Sequence, residues 1–121
     1  MDLVTAATLW DSQSERYLAQ LREFLSFQSI STDPSFEPAC RECADWLRAH
    51  VESIGFQSDI RHTGAHPVVF ARYHASSTAP TVVVYGHYDV QPAGDLREWD
   101  SPPFEPHIRN GRIYGRGAVD N

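Results

Sequence analysis

The sequence lacks the features that mark membrane, secreted and disulfide-stabilised proteins. It contains no apolar stretch near the roughly 20 residues that a membrane-spanning helix needs, and it has no basic segment followed by the apolar core of a signal peptide. Its two cysteines are too few for a disulfide framework. We therefore expect a cytoplasmic protein with no membrane partner.

Signatures of nucleotide-binding proteins and serine hydrolases are also missing. No Walker-type or dinucleotide glycine loop occurs, and Gly115-Arg116-Gly117 is too short to cradle phosphates by itself. A Ser/His/Asp hydrolase needs a Gly-x-Ser-x-Gly elbow, which the sequence does not contain. The formal net charge of -6 at pH 7 argues against nucleic acid as a partner.

Two helices are predicted in the first half of the chain. Ser12 and Glu15 have the spacing of a capping box, and apolar residues then recur at helical spacing, which predicts a helix over residues 12–27 after a polar, frayed start. A second helix is predicted over residues 37–54, with Gly55 as the left-handed residue beyond its end.

Cys40 and Cys43 have two possible interpretations. Their spacing is compatible with a redox pair or a zinc pair, but the sequence has no second cysteine pair. Both residues also fall on the apolar face of the second predicted helix, where small buried cysteines are common. The sequence favours a structural role for both thiols.

Strands are predicted where the period changes to two. Residues 56–61 and 68–73 form the first two predicted strands, joined by a turn-rich segment. Residues 81–85 form a third, and its continuous apolar character predicts burial in the middle of a mostly parallel sheet. An Asn-Gly turn within residues 108–114 predicts a hairpin of type I′. The expected fold class is α/β: two helices, then a mostly parallel mixed sheet with a hairpin.

The candidate site follows the third predicted strand. In extended geometry His87 and Asp89 face the same side, while Tyr88 points away. A neutral imidazole binds zinc through one nitrogen, and a carboxylate that accepts the hydrogen of the other nitrogen fixes the tautomer. Asp120 follows a Gly-x-Gly turn that brings a second carboxylate towards His87. A lone His-x-Asp pattern also arises by chance, and Asp120 has the alternative roles of turn carboxylate and helix N-cap.

The other five histidines are interpreted as solvated side chains. None of them has a carboxylate placed as Asp89 is placed for His87. They lie near the end of the second helix or in and beside turns: His50, His62, His66, His74 and His107.

Three motifs carry a family resemblance. Residues 86–92, 99–106 and 111–121 resemble, in order and with similar spacing, the zinc metallopeptidase superfamily of carnosinase-like dipeptidases, aminoacylases and succinyl-diaminopimelate desuccinylase. The Val-Gln-Pro after Asp89 is most similar to the dipeptidase branch. The resemblance is strong over residues 81–121 and weak over the rest of the chain.

The resemblance implies a hydrolase with two zinc ions that cleaves dipeptides or short peptides. His87 would bind one zinc, Asp120 would bridge both, and Asp89 would be the active-site aspartate that orients His87. Residues 1–121 would form the N-terminal portion of a three-layer α/β/α catalytic domain. The rest of that domain, and a lid domain that often mediates dimerisation in this superfamily, would be absent, so the full-length parent is expected to be a homodimer.

Two alternatives to a dipeptidase stay open. One is an N-acyl-amino-acid amidohydrolase, a deacylase, since specificity residues of the resembled family lie outside this sequence. The other is a non-catalytic truncated module. The family's general base, a Glu-Glu pair, and its further metal ligands also lie outside the sequence, so we expect the 121-residue chain alone to be inactive.

Overall fold

Helix α1 begins well before its predicted start. The computed structural model describes residues 3–120, and α1 spans Leu3–Phe24. The predicted start at Ser12 is wrong, because Ser12 lies inside the helix and its Oγ donates to the carbonyl of Leu9 (3.1 Å). A serine hydroxyl can bond a carbonyl of the preceding turn, so the capping-box spacing does not require a helix start. Met1 and Asp2, part of the predicted frayed start, lie outside the described residues.

Helix α2 agrees with its prediction to within one residue. It spans Glu37–Ser53, and Gly55 follows with a φ of 99°, the left-handed conformation that ends many helices. A short 3₁₀ helix, Pro34–Phe36, leads into it and is capped by Asp33, whose carboxylate accepts from the backbone N–H of Ser35 (2.9 Å). The local signals therefore predicted α2 and its C-terminal glycine, whereas the 3₁₀ helix was not predicted.

The small core lies between the loop that follows α1 and one face of α2. Its buried apolar residues are Leu25, Ile30, Cys40, Cys43 and Ala44. Burial raises the pKa of Cys43 to about 12 and also raises the pKa of Cys40. Because thiolates are the reactive and metal-binding form, these pKa shifts support the structural interpretation of both cysteines.

Strands β1 and β2 form an antiparallel pair on which α2 packs. They span Gln57–Arg61 and Val68–Arg72, with Ile60 opposite Val69. Strands β3 and β4, His107–Arg109 and Arg112–Tyr114, form a hairpin. Its turn residues Asn110 and Gly111 both have positive φ, 50° and 72°, which confirms the predicted type I′ turn.

Residues 81–85 do not form the predicted third strand. They have no regular secondary structure, and Val82, Val83, Val84 and Tyr85 are 80% to 90% exposed. A strand exists only when its backbone bonds a neighbouring strand, and the two sheets of residues 3–120 consist of β1 with β2 and β3 with β4. The prediction of a buried strand here is wrong for this reason.

The α/β fold class is confirmed, with two helices followed by small strand pairs. Both strand pairs of residues 3–120 are antiparallel, so no parallel pairing occurs within that range. Among the described residues, no helix combines the length and the apolar character that a membrane crossing requires.

Candidate metal centre

His87 lies where three segments of the chain meet. Its own segment, residues 87–90, lies beside the loop that follows α1 and beside the turn that ends at Asp120. The Nε2 atom of His87 is 3.9 Å from Oδ1 of Asp120. The structure thus brings together the two residues that the sequence singled out as metal ligands, although they are far apart in the chain.

The other imidazole nitrogen faces Asp89. Nδ1 of His87 is 3.0 Å from the backbone carbonyl oxygen of Asp89 and 3.3 Å from its carboxylate Oδ1. Both atoms can only accept, so the proton belongs on Nδ1 and the lone pair on Nε2. In this tautomer the nitrogen with the lone pair, Nε2, is also the one that faces Asp120. The backbone carbonyl of Asp89 makes the shorter contact, which the sequence pattern did not indicate.

A glycine turn carries Asp120 to this position. The backbone N–H of Arg116 donates to the carbonyl of Pro103 (2.7 Å), and that of Asp120 donates to Gly117 (3.3 Å). Gly117 has a φ of 79°, and a Cβ there would lie 2.8 Å from Cγ1 of Val90. Only glycine fits both the backbone conformation and the close approach to Val90.

The spacing of His87 and Asp120 suits two positions of a zinc shell. Zinc binds nitrogen and carboxylate oxygen at about 2.0–2.2 Å, so two ligand atoms of a tetrahedral site lie about 3.4 Å apart. The observed 3.9 Å is slightly wider, and a small rotation of the exposed Asp120 side chain closes the difference. Within residues 3–120, no group of three or more His, Cys, Asp or Glu side chains could hold a metal ion. The described chain therefore supplies part of a metal site.

Ser31 is a site residue that sequence reasoning missed. Its Oγ donates to Oδ2 of Asp89 (2.5 Å), although the two residues are 58 positions apart. Ser29 holds the same segment, because its Oγ donates to the carbonyl of Tyr88 (2.6 Å) and its carbonyl accepts from the N–H of Val90 (3.0 Å). The loop containing both serines has the composition of an ordinary connection, so no local signal indicated these contacts.

A cavity of about 190 Å³ opens beside these groups. Apolar side chains at and just beyond the end of α1, Phe24 and Leu25, line one part of it, and His87, Asp89 and Asp120 line another. An apolar wall beside convergent polar groups is typical of small-molecule sites, although most such sites are larger. The cavity can admit a small polar group next to the imidazole.

The structure also tests the predictions for Tyr88 and for the other five histidines. Tyr88 points away from His87, as predicted, with its hydroxyl donating to the carbonyl of Pro67, and burial raises its pKa to about 12. The prediction that His66 is solvated is wrong, because His66 is half-buried with Nε2 2.8 Å from the carbonyl oxygen of Ser31. His62, His74 and His107 are exposed, and half-buried His50 stacks on Trp46.

Residues 83–121 match the sequence model of Peptidase family M20/M25/M40. The predicted resemblance is confirmed. The matched range contains His87, Asp89, Asp120 and the two glycines of the turn. The same residues that carry the geometry thus carry the similarity to the M20 peptidases. Asn121, the last residue of the match, lies outside the described residues.

Three relatives extend the similarity to nearly the whole chain. The Cys-Gly metallodipeptidase of Schizosaccharomyces pombe is 30% identical over 122 residues, which cover 92% of this chain and 26% of that protein. The succinyl-diaminopimelate desuccinylase of Aromatoleum aromaticum is 42% identical over 98 residues, 81% of this chain and 23% of that protein. The crystal structure of human carnosine dipeptidase 1 superposes with a TM-score of 0.84 at 26% identity, over 94% of this chain and 26% of that chain.

The chain spans about a quarter of the length of the curated relatives it matches. Its similarity therefore concerns one portion of an M20 peptidase. His87, Asp89 and Asp120 all lie within the matched residues of this chain.

Proposed function

We propose that this chain is the N-terminal portion of the catalytic domain of a zinc-dependent hydrolase that cleaves dipeptides or short peptides. The observation that carries the proposal is the approach of His87 Nε2 to Asp120 Oδ1 at 3.9 Å, with Nδ1 facing Asp89. A family match over these residues supports the same function.

Each of the three residues has a defined part in this proposal. His87 would bind through Nε2, which carries the lone pair when the proton is on Nδ1. Asp120 has two carboxylate oxygens and could therefore contact two ions. Asp89 accepts from Nδ1 through its backbone carbonyl (3.0 Å), with its carboxylate Oδ1 3.3 Å from the same nitrogen, and so holds the ring orientation. Zinc supplies, when bound, a lowered pKa for water and polarisation of the substrate carbonyl.

The two ligands are too few to retain zinc tightly by themselves. A tetrahedral site needs four ligands, and a catalytic site has three protein ligands. We therefore propose that the remaining ligands and the general base come from residues outside this chain, and that the 121-residue chain alone is inactive. Robust peptide hydrolysis by this chain with added zinc would contradict that proposal.

A dipeptide substrate is supported by the names of two relatives, a Cys-Gly metallodipeptidase and a carnosine dipeptidase. The alternative, an N-acyl-amino-acid amidohydrolase, is favoured by the higher identity of 42% to a succinyl-diaminopimelate desuccinylase. A cytoplasmic location and a homodimeric parent are also proposals. The two free cysteines support the first, and the family resemblance supports the second.

The test has two steps. Sequencing the coding region beyond Asn121 should reveal further in-frame ligand residues, and a stop codon there would favour the non-catalytic module instead. The protein encoded by the whole reading frame is then assayed with Cys-Gly, carnosine and an N-succinyl amino acid. We expect His87→Ala and Asp120→Ala each to lower kcat/KM at least about a hundredfold. The control is His107→Ala, which should leave kcat/KM unchanged because His107 is exposed and lies in the hairpin.

A further inference from the structure

Two segments of the chain are hydrogen-bonded to each other beside the candidate site. Residues 29–31, in the loop after α1, lie along residues 88–90. Three hydrogen bonds join them: Val90 N–H to Ser29 O, Ser29 Oγ to Tyr88 O, and Ser31 Oγ to Asp89 Oδ2. Two of these bonds fix the backbone, and the third reaches the carboxylate that faces His87.

We propose that Ser31 is a positioning residue for Asp89, and that His66 positions Ser31. This proposal rests on the metal site proposed above. Ser31 donates to Oδ2 of Asp89 at 2.5 Å, while Oδ1 of the same carboxylate lies 3.3 Å from Nδ1 of His87. One carboxylate thus connects a serine hydroxyl with the imidazole.

The carboxylate needs such a partner because it is not enclosed. The Asp89 side chain is 43% exposed, so its two χ angles can carry the carboxylate into water. A hydroxyl that donates to an ionised carboxylate forms a strong, charge-assisted bond. Ser31 therefore selects the rotamer that keeps Oδ1 beside the imidazole. The carboxylate in that rotamer, 3.3 Å from Nδ1, adds to the backbone carbonyl of Asp89, 3.0 Å from Nδ1, in favouring the proton on Nδ1 and the lone pair on Nε2.

His66 fixes the backbone of Ser31 from the loop between β1 and β2. Its Nε2 lies 2.8 Å from the Ser31 carbonyl, and since a carbonyl only accepts, Nε2 carries the proton. The second nitrogen, Nδ1, is buried without a hydrogen-bond partner among the described residues. A buried unpaired nitrogen is destabilising, so this arrangement keeps the Ser31 contact at a cost in stability.

The test is a double-mutant cycle on this chain. Ser31→Ala, Asp89→Ala and the double variant are compared with the wild type, and Ser35→Ala is the matched control, because Ser35 Oγ donates to an exposed aspartate, Asp33, at 2.7 Å. Imidazole ¹⁵N chemical shifts give the tautomer of His87, assigned with His87→Ala. A zinc titration followed through the same ¹⁵N signals gives the Kd for zinc.

We expect Ser31→Ala to raise the Nε2–H population of His87 about twofold and to weaken zinc binding about three- to tenfold. This loss of zinc affinity is smaller than the loss expected when a residue that directly orients a metal ligand is removed. Ser35→Ala should change neither quantity. In the Asp89→Ala background, Ser31→Ala should have no further effect. If the alanine variant does not fold, the isosteric pair Ser31→Thr and Ser31→Val gives the same comparison, with the threonine variant resembling wild type.

Two results overturn the positioning role. One is that Ser31→Ala keeps the wild-type tautomer of His87 and the wild-type affinity for zinc. The other is that Ser31→Ala has an effect of the same size in the Asp89→Ala background, which would make the role of Ser31 merely structural. Failure of the proposed metal site can be told apart from failure of the positioning role. If the metal site is wrong, zinc affinity does not respond to His87→Ala, while the tautomer of His87 in the Ser31→Ala variant still shows whether Ser31 acts through Asp89.

Discussion

Residues 82–85 and 87–90 are separated only by Gly86 and both lack regular secondary structure, but they differ in burial and in long-range hydrogen bonding. The first four are large apolar side chains that are 80% to 90% exposed, whereas the second four are all half-buried. The difference lies in hydrogen bonding across the sequence, because residues 88–90 bond to Ser29 and Ser31. Apolar character alone did not bury the first segment, whereas hydrogen bonds hold the second against the loop that follows α1.

The largest expected effect tests the packing beneath the site. Leu25 is 6% exposed and lines the site cavity, so Leu25→Ala should lower the free energy of unfolding by about 2–4 kcal/mol. Leu96→Ala is the matched control, because Leu96 is 65% exposed and its truncation should change stability by less than about 0.5 kcal/mol. Urea unfolding measures both. Equal losses would mean that the core does not extend beneath the site.

The glycine turn gives the next effect. Gly117→Ala introduces a Cβ 2.8 Å from Val90 at a φ of 79°, so we expect a loss of about 2–3 kcal/mol from steric overlap and backbone strain together. Gly64→Ala isolates the strain, since Gly64 has a φ of 84° and open space around it, and should cost about 1 kcal/mol. Similar values for the two variants would show that Val90 does not press on Gly117.

The pH dependence of stability should separate the two segments. Burial raises the pKa of Tyr88 to about 12, and an unfolded tyrosine has a pKa of about 10. The unfolded chain therefore loses this proton first, so the stabilisation present below about pH 10 is lost as pH rises towards 12. Tyr88→Phe should make the decline of unfolding free energy between these pH values less steep.

The control is Tyr85→Phe, because the Tyr85 side chain is 87% exposed in the folded chain and meets water in both states. We expect it to leave the alkaline slope unchanged. A slope that responds equally to both phenylalanine variants would remove the contrast between the segments.

The smallest effect belongs to the exposed segment. Val83 is 85% exposed, so Val83→Thr, which replaces a methyl by a hydroxyl of similar size, should change the free energy of unfolding by less than about 0.5 kcal/mol. A loss above about 1 kcal/mol in urea unfolding would mean that this residue is buried after all, as the sequence pattern predicted.

Local signals predicted much of the fold. The apolar spacing and C-terminal glycine of α2, the alternation of β1 and β2, and the Asn-Gly turn each act within a few residues, and each prediction agreed with the structure. The early start of α1 was missed because a capping-box spacing also occurs inside helices.

Long-range contacts explain the other differences. Whether residues 81–85 form a strand depends on a hydrogen-bonded neighbour, which the sequence of the segment does not specify. The contact of Ser31 with Asp89 joins residues 58 positions apart, and that of His66 with Ser31 spans 35. The pairing of His87 with Asp120 was anticipated from motifs, whereas the residues that support it became visible only in three dimensions.

The most direct test of the account is a zinc titration of the 121-residue chain, followed through the imidazole ¹⁵N signals of its six histidines. We predict that Nε2 of His87 responds at the lowest zinc concentration and that Asp120→Ala weakens this response about tenfold or more. The account would be contradicted if another histidine, such as the exposed His62, responded first while His87 did not change, or if Asp120→Ala left the response of His87 unaltered.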